Sequence, residues 1–310
     1  MKFSIYQASR KGARRSNQDR VGHSYTRDAL LQVIADGMGG HLNGEVAAQI
    51  TVQYLSESFR RDAVPRLADP AGFLRKGMEN AHLAIEDYAR SRSLPESPRT
   101  TCVACVIQDN VAFWAHAGGS RLYHVREGVI QARTRDHSRV QALIDQGRIR
   151  QEAAAAHPER NKIWNCLGGT HLPQVEVSRR TPLYAGDTIL LCSDGLWGPL
   201  SPRIICSALI RYERMTALPV LMAEAELLAG RECGNLSAVA IFWTDNYAEP
   251  QAGLRRNCLI ATMCRKTWRS LASRTRSTPS SPTRKSSVRS RRSARRFEGR
   301  HRNNHEARTA

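Results

Sequence analysis

The chain has 310 residues, 41% of them hydrophobic, enough for one large domain or two ordinary ones with a sizeable core. Its formal net charge of +19 suggests a nucleic-acid binder, but residues 251–310 hold 17 of the 47 Lys and Arg and 2 of the 28 Asp and Glu, or +15. Residues 1–250 therefore carry 30 basic and 26 acidic residues, or +4, so the folded part is nearly neutral and the basicity belongs to the tail.

The start, MKFSIYQASRKGARR, has no apolar core of signal-peptide length. No run approaches the roughly 18 apolar residues of a transmembrane helix. A cytoplasmic chain that avoids membranes is expected. LLQVIADGMGG (30–40) is a buried strand entering an Asp-Gly turn. GEVAAQITVQYLSESFRRDAV (44–64) is a helix with Val46, Ile50, Tyr54 and Phe59 at helical spacing. GFLRKGMENAHLAIEDYARS (72–91) is a second helix, and LPESPRT (94–100) a Pro/Ser loop. TCVACVIQDN, VAFWAHA, RLYHV and VIQAR, within 101–133, form a strand series with Asp-Asn, Gly-Gly and Glu-Gly turns between them.

RVQALIDQGRI (139–149) is helical, and AAAAHPERNKIW (153–164) is polar and mixed. DTILLCSDGLWG (187–198) repeats the earlier device, an apolar strand ending in Asp-Gly. PRIICSALIRY and PVLMAEAELLAGRE are helices, and NLSAVAIFW (235–243) is a final apolar strand. Paired helices and antiparallel runs without strict alternation predict an α+β fold, two sheets packed together with helices outside. The last segment, an Arg/Ser-rich tail placed at 248–310, has almost no apolar residues to offset its ordering entropy and is predicted to be disordered. Only Trp268 and Phe297 interleave with its arginines, so nucleic acid is expected to bind it weakly at most.

Of eight cysteines, only Cys102 and Cys105 form a CxxC, in an apolar run. A single such pair is a weak zinc signal, and buried strand thiols are the expectation. None has an Arg six positions on, as a cysteine phosphatase requires. Asp36 and Asp194 each end an apolar run and precede a glycine. A strand end fixes a carboxylate rigidly, and the glycine lets backbone and ligand come close. With Asp19 in RRSNQDR, and no Cys/His cluster beside them, they suggest hard cations with oxygen ligands, Mg²⁺ or Mn²⁺. Asp-Gly is also the commonest turn dipeptide, so one such pair alone would mean only a turn.

The ordered set of motifs says more. RRSNQD, VIADGMGGHLNGEVAA, SPRTT, AHAGGSRLYHVREG, TRDHSRVQALIDQGRI, HPERNKIWNCLG, GDTILLCSDGLWGPLS and GNLSAVAI follow one another over about residues 3–245. Together they closely resemble the PPM family of metal-dependent protein serine/threonine phosphatases, the type 2C phosphatases, in its bacterial form. The resemblance implies an α-β-β-α sandwich with two metal ions at one end. By it, Asp36 bridges the two ions, the Gly37 carbonyl binds one, Asp194 binds the second, Asp19 holds water on the metals, and Arg14 contacts the substrate phosphate. It implies hydrolysis of phosphoserine and phosphothreonine by a metal-activated water, phosphorylated proteins as substrates, a serine/threonine kinase as counterpart, and a monomer.

Two positions depart from the family. Gly119 stands where GDSR has an aspartate that helps hold a third, weaker metal. Gly234, in GNLSAV, stands where the pattern has an aspartate ligand of the second metal. Asp245-Asn246 follows the last strand and is not expected to substitute. Weakened metal binding and lowered activity are expected. The alternative is a pseudophosphatase that keeps the fold to bind phosphoproteins or a kinase.

Overall fold

A computed structural model of the chain describes residues 1–38, 43–150, 153–154, 157–160 and 162–247. These belong to a first unit, Met1–Pro250. The tail predicted to be disordered lies outside the described residues.

Two antiparallel sheets form the centre. The first has the order β1 (Phe3–Arg10), β11 (Leu236–Trp243), β10 (Thr188–Cys192), β6 (Arg121–Arg126), β7 (Val129–Arg133). The second runs β2 (Asp19–Tyr25), β3 (Ala29–Asp36), β4 (Cys102–Gln108), β5 (Val111–Ala117), β8 (Glu176–Val177), with β9 (Thr181–Pro182) also paired to β5. Side-chain alternation along each strand sorts the core into three layers. Leu30, Ile34, Val103, Ile107, Leu122, Ile189, Val239 and Ile241 meet between the sheets. Leu31, Val33, Ala35, Cys102 and Ala104 face outward onto helices α1 (Gly44–Asp62) and α2 (Pro70–Ser91). On the other side, Tyr123, Leu190, Ala238 and Ala240 pack under α4 (Asp194–Trp197), α5 (Pro202–Arg211) and α6 (Arg214–Ala229). A short α3 (Arg139–Asp145) starts at Ser138, whose hydroxyl accepts from the Gln141 N–H.

The α+β sandwich expected from sequence is the fold observed. The helix α1 face and the two edge strands add to that reading, and the cysteine expectation holds. In α1 the buried face is Ala47, Ala48, Thr51, Val52, Leu55 and Phe59, while Val46, Ile50 and Tyr54 sit on its flank. Small residues carry the contact because the helix lies close against β2 and β3. Strands β1 and β2 escape the sequence pattern because both are edge strands, mostly half-buried, with polar residues on either face. Cys102 and Cys105 point to opposite faces of β4, one toward the helices and one between the sheets, so they cannot share a metal. Burial pushes the Cys105 thiol up to about 12.

The registers bring eight strand ends to one end of the sandwich. Arg10 pairs with Leu236, Asp19 with Asp36, Cys102 with Ala117, and Cys192 with both Ala238 and Arg121. The segments that carry Asp19, Asp36, Gly119, Asp194 and Gly234 connect at this end. The opposite end is held by Asp187, fully buried before β10. Burial alone would raise its carboxyl, but the Arg126 guanidinium (2.6 and 2.7 Å), the His124 ring (2.9 Å) and the Tyr184 N–H (3.0 Å) hold it well below the usual range. A depressed folded-state pKa gives stability that is fully present above the unfolded value of about 3.9 and is lost progressively as pH falls from there through the folded value. Asp187→Ala strands three partners, Arg126, His124 and the Tyr184 N–H, and is expected to cost about 3–5 kcal/mol. Thermal melts at pH 7 and pH 3 check this: the gap between parent and variant should narrow at pH 3, where the unfolded-state carboxyl takes up a proton, without closing, because the folded-state carboxyl stays ionised there.

Candidate active site

Three segments deliver three carboxylates. Asp19 opens β2, Asp36 closes β3 opposite it, and Asp194 opens α4 directly after β10. Asp19 is 2% exposed, Asp36 is partly exposed, and Asp194 is exposed in the open cleft. The protein packed around the cleft, then repulsion from Asp19 and Asp194, pushes the Asp36 carboxyl well above the carboxylate range. Asp19 is pushed up to about 6, mainly by burial, against the Ser193 hydroxyl bond. Asp194 is also raised by the packed surroundings, and the charge of Arg14 opposes that rise. Arg14 is exposed on the loop joining β1 to β2, so this loop carries its guanidinium to the cleft.

Hydroxyl groups hold the carboxylates. Ser193 Oγ donates to Asp19 Oδ2 (2.7 Å) and accepts from the Ser237 N–H (2.9 Å). The Asp36 carbonyl accepts from the Thr101 N–H and the Thr100 hydroxyl, each at 2.9 Å. The Asp36 N–H donates to Thr101 Oγ1 (3.2 Å), which lies 2.7 Å from Ser120 Oγ. Sequence reasoning assigned none of these hydroxyls a role. The SPRTT stretch contains Thr100 and Thr101, but nothing local says which strand end they grip. Gly37 donates its N–H to the Gln18 carbonyl (3.2 Å), and a Cβ there would strike the Gly44 carbonyl. Only glycine allows this close approach.

The donor set suits hard cations. All the groups are oxygens, and Asp19 Oδ1 is buried with no hydrogen-bond partner among the described residues. Three repelling carboxylates facing one arginine are a destabilising arrangement that divalent ions would relieve.

The departures from the family pattern have different settings. Gly119 follows Gly118 (φ 112°), is itself outside the left-handed region, and accepts at its carbonyl from Trp197 Nε1 (3.0 Å). A Cβ at 119 would sit 3.0 Å from Ile163 Cδ1. Gly234 is also outside the left-handed region, and its Cβ would meet only Gly195 Cα at 3.8 Å. It backs onto the start of α4, beside Asp194. Asp245 lies beyond the far end of the eight-residue β11, where Oδ2 accepts from the Lys2 N–H (2.8 Å). At about 3.3 Å per residue the strand alone sets the two positions more than about 20 Å apart, so Asp245 does not substitute.

A second cluster brings His116, His137 and Glu176 within 4.8 Å. Its polarity is wrong for a metal. His116 Nε2 faces the Arg135 carbonyl at 2.7 Å and so carries the proton. His137 Nδ1 accepts from the Gly118 N–H (3.2 Å) and from Asn165 Nδ2 (2.6 Å), which puts its proton on Nε2, toward Glu176 (3.4 Å). A metal-bound histidine donates from its other nitrogen; here the other nitrogen of His137 accepts.

The protein phosphatase 2C family model matches residues 7–217. Serine/threonine phosphatase stp of Listeria monocytogenes is 33% identical over 193 residues, 62% of this chain and 76% of that protein. The S. agalactiae serine/threonine phosphatase structure aligns with a TM-score of 0.70 at 27% identity, over 78% of this chain and 99% of that one. The catalytic domain of PstP, solved in complex with two manganese ions, aligns at 0.66 and 30% identity, over 78% and 99%. A two-sheet sandwich with these motifs is thus the architecture of bacterial protein serine/threonine phosphatases. The chain belongs to the protein phosphatase 2C family, the metal-dependent PPM phosphatases, and is a phosphoric monoester hydrolase of that class. Among the described residues no helix is long and apolar enough to cross a membrane.

Proposed function

We propose that this chain hydrolyses phosphoserine and phosphothreonine in proteins, with two Mn²⁺ or Mg²⁺ ions held by Asp36, the Gly37 carbonyl and Asp194. The observation that carries the reading is the convergence of Asp19, Asp36 and Asp194 at one end of the sandwich with Arg14 beside them. Bound there, the ions would lower the pKa of water and draw charge from the phosphoryl oxygens. Asp19, locked through Oδ2 by Ser193, keeps Oδ1 free to accept a proton from the attacking water. Arg14 presents a planar fork that meets two phosphate oxygens and orients the group for in-line displacement of the Ser or Thr oxygen.

Gly234 supplies no side-chain oxygen, so metal affinity is weakened and turnover lowered. The same glycine favours the second reading, a pseudophosphatase that binds phosphoproteins or a kinase without turnover. Hydrolysis of a phosphothreonine peptide and of a chromogenic aryl phosphate, with Mn²⁺, Mg²⁺ or chelator, separates the two.

We also infer a monomer working in the cytoplasm opposite a serine/threonine kinase. On composition, residues 1–247 carry the phosphatase and 248–310 form an appended basic tail that holds nucleic acid weakly. Truncation after residue 247 is expected to leave the melt unchanged. A drop beyond about 2–4 °C, the shift about 1 kcal/mol gives a domain of this size, would mean that the tail packs on the domain.

A further inference from the structure

The loop between β1 and β2 has no regular structure to fix it, yet it must place Arg14. Arg14 itself is exposed and makes no hydrogen bond among the described residues, so the reach of its guanidinium toward Asp194 depends on where the loop backbone holds it. One side chain grips that backbone at both ends. Asn235 Nδ2 donates to the Lys11 carbonyl (2.8 Å) and to the Ser16 carbonyl (2.9 Å), and Asn235 Oδ1 accepts from the Gln18 N–H (2.9 Å). The middle of the loop rests on the same segment: the Ala13 N–H donates to the Cys233 carbonyl (3.1 Å), and Gly12, at φ 59°, is pressed against the Gly234 carbonyl.

We infer that Asn235 is a positioning residue for the substrate phosphate: its amide clamps residues 11–18 and so sets where Arg14 meets the phosphoryl group. The inference rests on the proposed contact of Arg14 with phosphate. The chemistry of the clamp is specific. Two carbonyls need two donors and one N–H needs an acceptor, and an amide of this length supplies all three. A carboxylate of the same shape would satisfy Gln18 but set an oxygen against two carbonyl oxygens. In this chain, then, the segment 233–235 serves the anion side of the cleft, although Gly234 beside it offers no ligand to the cation side.

The test compares Asn235→Asp, Arg14→Ala and the double variant. For a phosphothreonine peptide, each single variant should raise KM about tenfold or more, as expected for loss of hydrogen bonds to a charged group, with kcat changed much less. Competitive inhibition by inorganic phosphate should weaken by the same factor. The Mn²⁺ half-saturation point, followed by calorimetry, should stay within about twofold, since no ligand is lost. In the Arg14→Ala background, Asn235→Asp should add nothing further. Gly12→Ala, which drives a Cβ into the Gly234 carbonyl, should reproduce the KM effect without touching either residue, and it serves if Asn235→Asp does not fold. If Arg14→Ala leaves KM and phosphate inhibition unchanged, the phosphate role of Arg14 fails and this inference falls with it. If Arg14→Ala raises KM while Asn235→Asp and Gly12→Ala do not, or if the Asn235→Asp effect persists in full without Arg14, the positioning role alone is overturned. A Mn²⁺ half-saturation point displaced tenfold by Asn235→Asp would also overturn it, making the residue part of the cation site.

Discussion

Asp36→Asn abolishes measurable phosphatase activity while raising the melting temperature of the metal-free protein. The two effects have one cause. Asp36 faces both Asp19 and Asp194, close enough for the carboxyl groups to repel one another. An amide keeps the shape and the Thr100 and Thr101 bonds to the backbone, so the fold is not strained. It removes a group whose ionisation the crowded, packed cluster disfavours, a penalty folding no longer carries when no cation is present. It also removes the side chain proposed to bind both cations. Metal assistance is worth several kcal/mol, so a loss of about 10²–10⁴-fold is expected. Differential scanning in chelator and a turnover assay in Mn²⁺ check the pair. A metal-free melt that falls together with activity would make Asp36 a structural residue.

Gly234→Asp raises both metal affinity and turnover, and does so more than Gly119→Asp. The structure removes the main objection to the substitution: residue 234 is outside the left-handed region, and its Cβ would meet only Gly195 Cα at 3.8 Å. The new carboxylate would stand beside Asp194 at the start of α4. At position 119 the Cβ must first displace Ile163 Cδ1 from 3.0 Å. A carboxylate set directly against a dication in a partly desolvated cleft interacts far more strongly than in water. About 1.4 kcal/mol suffices for each tenfold change in affinity or rate. The Mn²⁺ half-saturation point of Gly234→Asp should fall at least about tenfold. Its melt should drop in chelator, because a fourth carboxylate adds repulsion, and rise more than the parent's on adding Mn²⁺. If half-saturation, rate and Mn²⁺-induced stabilisation all stay at parent values in a folded variant, position 234 does not face the cation site.

Legibility in the sequence followed locality. Asp36 and Asp194 stand out because an apolar strand running into Asp-Gly is a contiguous signal. Strands β4, β5, β6, β10 and β11 were legible for the same reason. Asp19 and Arg14 were not readable from periodicity, since β1 and β2 are half-buried edges with mixed polarity; only the ordered motifs marked them. In α1 a count of large apolar residues misplaced the buried face, because Ala47, Ala48 and Thr51 make the contact. The grip of Ser193 on Asp19 joins residues 174 positions apart, and that of Asn235 on Gln18 joins residues 217 apart. No window of sequence contains such pairs; the register of the strands creates them.

The activity proposed for this cleft is the dephosphorylation of proteins with divalent cations held by Asp36 and Asp194. The most direct measurement is the rate of phosphate release from a phosphothreonine peptide across a Mn²⁺ titration, for the parent and Asp36→Asn, with a chelator control. A saturable rise is expected for the parent at high Mn²⁺, none in chelator, and none at any Mn²⁺ concentration for Asp36→Asn. Turnover that persists in chelator, or that Asp36→Asn retains in full, would contradict it.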